Sequence, residues 1–115
     1  MPENRQRFRL NKNLLVSYQK IDDYMRSPSK SKDISAGGMC LPVFHRLEVG
    51  TTLKIWLDLK DNKGTIAAIG EVVWINRRNN AECPYEAGVK FIEINSANAD
   101  RISKYIDSLK DASAA

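Results

Sequence analysis

The stretch LKIWLDLKDNKGTIAAIGEVVWI, Leu53 to Ile75, decides the fold. Leu53, Ile55, Leu57 and Leu59 alternate with Lys54, Trp56 and Asp58, so an extended backbone sends the aliphatic set to one face and the rest to the other. DNKG (Asp61–Gly64) supplies a turn, and TIAAIGEVVWI (Thr65–Ile75) returns as a long second arm. The result is a β-hairpin with one buried face. Gly70, inside the return arm, marks a bulge or bend of the kind that curves a sheet toward closure.

Outward from the hairpin, LLVSYQ (Leu14–Gln19) is rich in β-formers and reads as a first strand. GMCLPV begins another at Gly38 and stops near Pro42, and LEVGT around Gly50 reads as a turn. YEAGVKFIEI (Tyr85–Ile94) is a further strand, with Val89 and Phe91 on one side and Lys90 and Ile92 on the other. Between these, IDDYMRSPSKSKD, with Pro28 and its serines, reads as a polar loop, and so does NRRNNAECP. Only the end is helical: Asn95 or Ser96 can cap a segment from about Ala97 to Lys110, where Ile102, Ile106 and Leu109 form one apolar stripe. DASAA beyond it is expected to fray. Short strands, turn signals, glycine bends and one terminal helix predict a mainly-β domain, an antiparallel sheet closed or nearly closed into a small barrel with the helix against it. The expected organisation is a single domain: a basic arm at 1–13, the barrel at 14–94, the helix at 95–110 and a tail at 111–115.

A chain of 115 residues, 43% hydrophobic and 28% charged, has enough apolar material for one core without staples. No run approaches a membrane span and the N-terminus is polar, so neither membrane insertion nor export is expected, and the cytoplasm is the expected compartment. Cys40 and Cys83 are too few and too far apart for a zinc motif and read as passive thiols. His45, the sole histidine, falls in a turn-like segment without the partners of a catalytic signature. No glycine pattern matches a phosphate-cradling loop. No catalytic residue, metal or cofactor is expected.

The net charge of +4 is unevenly spread. Residues 1–32 hold eight Lys/Arg against Glu3, Asp22 and Asp23, a net of +5, whereas the remaining 83 residues hold ten basic and eleven acidic side chains. Such a local excess points to a local anionic partner, the alternative being a solvated basic arm. Within it, RQRFR carries Arg5, Arg7 and Arg9; if extended, these share one side, leaving Gln6 and Phe8 on the other. A guanidinium both forks onto phosphate or guanine O6/N7 and stacks on a purine. DISAGG supplies a complement. Asp33 offers an acceptor for guanine N1–H and N2 amine, Ser35 a hydroxyl, and Gly37 and Gly38 bare backbone that permits close approach or φ > 0. The bland alternative for DISAGG is an Asx-type turn leading into a strand.

Arg5-x-x-x-Arg9 followed by Asp33-x-Ser35-x-x-Gly38 resembles the paired signature of the PilZ domain, R-x-x-x-R then [DN]-x-S-x-x-G. GEVVWI with Trp74 and YEAGVKF with Gly88, Val89 and Phe91 also resemble the later strands of that family, extending the likeness over roughly residues 3–109. The resemblance implies a six-stranded antiparallel barrel and a bacterial cyclic di-GMP receptor. Arg5 and Arg9 would then contact phosphates and guanine, and Asp33, Ser35 and Gly38 would meet a guanine edge. Arg7 sits at a variable motif position, and Trp74 stands either beside the ligand or as an ordinary wall residue. Cyclic di-GMP is thus the expected ligand, with binding ordering the arm and a downstream protein, not named by the sequence, receiving the signal. A nucleotide-independent adaptor of motility or pilus machinery is the first alternative. A single-stranded nucleic-acid binder is the second, disfavoured because the positive charge is so local.

Overall fold

The structure, a computed structural model, describes residues 13–78 and 82–114, with side chains through 109. Leu15–Lys20 forms β1, Ser27–Lys30 β2, Asp33–Ser35 β3, Gly38–Val43 β4, Thr52–Leu57 β5, Ile66–Arg77 β6 and Tyr85–Glu93 β7, followed by helix α1, Ser96–Ala114. The strands form one sheet in the order β2-β1-β5-β6-β7-β4-β3, every neighbouring pair antiparallel. The β5–β6 hairpin is the one read from Leu53–Ile75, with Leu57 opposite Ile66.

Seven strands stand where six were expected. The extra one arises inside the stretch read as a loop, because Ser27–Ser35 is nearly continuous extended chain that changes partner midway. Its first part pairs with β1 and its last part with β4. At the changeover the Ser31 N–H donates to Leu14 O at 2.9 Å and the Lys32 N–H to Cys40 O at 2.9 Å, while Ser31 Oγ accepts from the Leu14 N–H at 3.3 Å. The sheet therefore curls until β2 runs beside β4 without a ladder between them, and Ser29 Oγ reaches across to donate to Pro42 O at 2.6 Å. Pro28 is tolerated because β2 is an edge strand that needs a ladder on one side only.

The curl encloses the core. Leu53, Ile55 and Leu57 of β5 meet Ile66 and Val72 of β6, Val89 of β7, Met39, Leu41 and Val43 of β4, and Ile34 of β3, all at most 3% exposed. Each such Leu or Ile contributes about 1.5–3 kcal/mol by leaving water. Gly70 lies at a register shift in β6, as its place in the sequence predicted. It also faces inward, where a Cβ would stand 2.6 Å from Val89 Cγ1 and 2.8 Å from Ile55 Cδ1.

Helix α1 adds Ile102 and Ile106 to this core, with Leu109 half-buried on the same stripe. Asn95 is the cap: its Oδ1 accepts from the Asn98 N–H at 3.1 Å. The helix continues through Ala114, past the end expected at Lys110, consistent with the helix propensity of alanine in DASAA. Arg101 fastens it to the β5–β6 turn, donating from Nε and Nη2 to the two Asp61 oxygens at 3.2 and 2.7 Å and from Nη2 to Gly64 O at 2.7 Å.

These Arg101 hydrogen bonds hold the Asp61 carboxyl below its ordinary value of 3.8. A depressed carboxylate contributes stability above its unfolded pKa and loses it as pH falls through the folded value. The Tm difference between wild type and Arg101→Ala is therefore expected to be present at pH 7 and to shrink below about pH 4. A difference independent of pH in thermal melts would assign the effect of Arg101 to its packing alone.

Candidate functional site

The site lies on the outer wall, where a row of side chains crosses four adjacent strands. Register places Asp33 (β3) opposite Cys40 (β4), Cys40 opposite Gly88 (β7) and Gly88 opposite Trp74 (β6). Two small residues between a carboxylate and an indole make a trough. It is a cleft of about 440 Å³ whose lining also includes Lys32, Val73 and Glu86.

Trp74 reaches this wall through a second irregularity in β6. Val72 is buried and opposes Val89, but the register slips between Val72 and Trp74, so Val73 is an extra residue. Strict alternation from Val72 would aim Trp74 into the core. The bulge reverses the parity: Val73 and Trp74 both face out, at 44% and 40% exposure, and Ile75 turns in against the core. The indole lies on Gly88, where any Cβ would overlap ring atoms Nε1, Cε2 and Cδ1.

Asp33 and Ser35 are held by the tight β3–β4 hairpin, whose turn is Ala36–Gly37. Asp33 Oδ1 accepts from the Cys40 N–H at 3.1 Å, which fixes the carboxylate over the row. Ser35 is 2% exposed; its Oγ accepts from the Gly37 N–H at 3.2 Å and donates to Gly38 O at 3.4 Å, so the hydroxyl stabilises the turn from within. Gly37 O accepts from the Phe91 N–H at 2.9 Å, hooking the turn to β7. Neither glycine has positive φ, the conformation found at Gly50 and Gly64. Gly38 is instead a close approach, since a Cβ there would run into Val89 O.

Glu86 is the electrostatic centre of the cleft. Its Oε2 accepts from Lys32 Nζ at 2.8 Å and lies 3.9 Å from Arg78 Nε, and the carboxylate raises the Lys32 pKa. Burial, with Glu86 and Asp33 nearby, pushes the Cys40 thiol up to about 12. A thiol so raised is protonated near neutral pH. Cys83 is also a free thiol, and His45 is exposed.

Asp33 and Trp74 thus line one cleft, with Ser35, Gly37 and Gly38 shaping the hairpin turn beside it. Arg5, Arg7 and Arg9 lie outside the described residues. Lys32, Arg78 and Glu86 were not singled out in the sequence. The available signal was the alternation in YEAGVKFIEI, which sends Glu86, Gly88 and Lys90 outward opposite buried Ala87 and Val89. Among the described residues no group of three His, Cys, Asp or Glu could hold a metal, and no helix is long and apolar enough to cross a membrane.

The frame is thus a curled antiparallel sheet with one C-terminal helix and an open polar-aromatic trough on its outer wall. The PilZ domain model matches residues 3–108, and the chain belongs to that family. A search of curated proteins found no match. Among solved structures, the Bacillus subtilis inhibitor of motility (MotI/DgrA) superposes with a TM-score of 0.79 at 18% identity, covering 96% of this chain and 53% of that one. The PilZ domain of YcgR from Escherichia coli, solved with c-di-GMP, gives 0.71 at 16% identity, covering 96% and 95%. The K. pneumonia MrkH–c-di-GMP complex gives 0.79 at 20% identity, covering 98% and 55%. The chain spans about half the length of MotI and of MrkH, and nearly all of the YcgR PilZ domain.

Proposed function

We propose that this domain is a cyclic di-GMP receptor, a binding module with no catalytic role, that takes the nucleotide between the arginine segment and the Asp33–Trp74 trough. The observation that carries the reading is the bulge at Val73, which spends a barrel-wall tryptophan on the outside, across the row from the motif carboxylate. Asp33 is an acceptor for a guanine edge, Trp74 a flat wall for a base, and Arg5 and Arg9 bring forks and planes to phosphates and purine. The c-di-GMP complexes of YcgR and MrkH support the ligand class. Capture of a doubly charged dinucleotide changes the conformation of the arm, and the altered surface signals to a partner protein.

Isothermal titration with cyclic di-GMP tests this, and absence of saturable heat at about 100 μM ligand overturns it. Within that titration, Arg9→Lys is expected to weaken binding and Arg9→Ala to weaken it further, because lysine keeps the charge and loses both fork and stacking plane. Wild-type affinity in Arg9→Lys would mean that charge alone is used.

A further inference from the structure

We propose that Glu86 is a resident stand-in for a ligand phosphate, and that Lys32 and Arg78, the cations it engages, are further phosphate contacts of the site. The inference rests on the cyclic di-GMP reading and extends it to residues outside the two motifs. Lys32 directly precedes Asp33 and shares its cleft with Glu86, and Arg78 lines the adjoining groove of about 560 Å³ with Lys30 and Pro42.

The three side chains are unequally held. Glu86 is 14% exposed, whereas Arg78 and Lys32 are 32% and 54% exposed. The backbones of both cations are nevertheless fixed: the Lys32 N–H donates to Cys40 O at 2.9 Å and the Arg78 N–H to Pro84 O at 2.7 Å. Fixed stems with a half-exposed Lys32 head and a partly exposed Arg78 head can turn to an incoming anion while the acid stays in the wall. A single carboxylate oxygen receives Lys32 at 2.8 Å and faces Arg78 Nε at 3.9 Å, a distance that leaves the guanidinium fork unsatisfied by it. A phosphate offers more oxygens and more charge to the same pair, and exposed ion pairs exchange readily.

Charge argues the same way. Among the described residues of this cleft and its ion pairs, Lys32 and Arg78 balance Asp33 and Glu86, leaving no excess there for a dianionic ligand, and Glu86 sets affinity from below. A carboxylate so placed keeps the cations apart from adventitious anions until a ligand that also satisfies the base-reading groups displaces it.

Titration of the full chain with cyclic di-GMP tests the proposal in wild type, Glu86→Gln, Lys32→Ala, Arg78→Ala and the Lys32→Ala/Glu86→Gln pair. Glu86→Gln is expected to bind about threefold to tenfold tighter, and Lys32→Ala and Arg78→Ala about threefold to tenfold weaker. The gain from Glu86→Gln is expected to shrink in the Lys32→Ala background, since one released cation is then missing. If wild type binds and Glu86→Gln binds equally or more weakly while retaining its Tm, the stand-in role is overturned. Should Glu86→Gln fail to fold, wild-type affinity in Lys32→Ala, whose removed side chain is more than half exposed, overturns it independently. Absence of binding by wild type itself removes the cyclic di-GMP reading, and this inference with it.

Discussion

Gly38→Ala is expected to lower stability by about 2–3 kcal/mol, a fall in Tm on the order of 10 °C, before any ligand is considered. The added methyl meets Val89 O, and a carbonyl already committed to the sheet cannot rotate away as a side chain would. Relief requires β4 and β7 to separate where Gly38 opposes Lys90, and that separation also unhooks the turn that Gly37 O anchors to the Phe91 N–H. Calorimetry or a circular-dichroism melt in the absence of nucleotide checks the result. A melt within about 2 °C of wild type, combined with lost binding, would assign the glycine to the ligand instead.

Asp33→Ala is expected to cost tenfold to a hundredfold in cyclic di-GMP affinity, the equivalent of about 1–3 kcal/mol for guanine donors left without an acceptor. The same carboxylate accepts from the Cys40 N–H at 3.1 Å, so alanine also removes a structural bond, and the two effects need separation. Asp33→Asn provides it. The amide oxygen can still take the Cys40 N–H, whereas paired acceptance by a carboxylate is lost. Near-wild-type Tm with intermediate affinity in Asp33→Asn is therefore expected. Equal affinity for cyclic di-AMP in the wild type would show that no guanine edge is read there.

What could be read from the sequence follows the physical range of each signal. Alternation in Leu53–Leu59 and the glycine at position 70 report local geometry, and both the hairpin and its first bulge were legible. β2 was not, because SPSK has the composition of a loop and becomes a strand only when β1 and the curled sheet provide a partner. The bulge at Val73 was equally hidden: VVWI is β-forming at every position, and parity within it is set by the pairing with β7. The paired motif was legible as chemistry, yet two of its members have prior duties in the fold, Ser35 inside the turn and Gly38 against a neighbouring carbonyl. The Lys32–Glu86 pair was not legible because the β4–β7 register joins residues 54 positions apart, and Arg78 reaches the pair only through the shape of the loop before β7.

The place where the ring of strands fails to close has a chemical reason to stay that way. Pro28 and Pro42 stand on either side of it, and in a strand a residue's nitrogen and carbonyl point the same way. Pro42 aims its carbonyl across the gap at Ser29 Oγ, so its ring nitrogen, lacking hydrogen, faces the gap too. Neither rim can offer a full row of donors there to the other, or to a second molecule. The opening is thereby a poor template for strand addition, and its side chains can face a groove without pairing it to another chain.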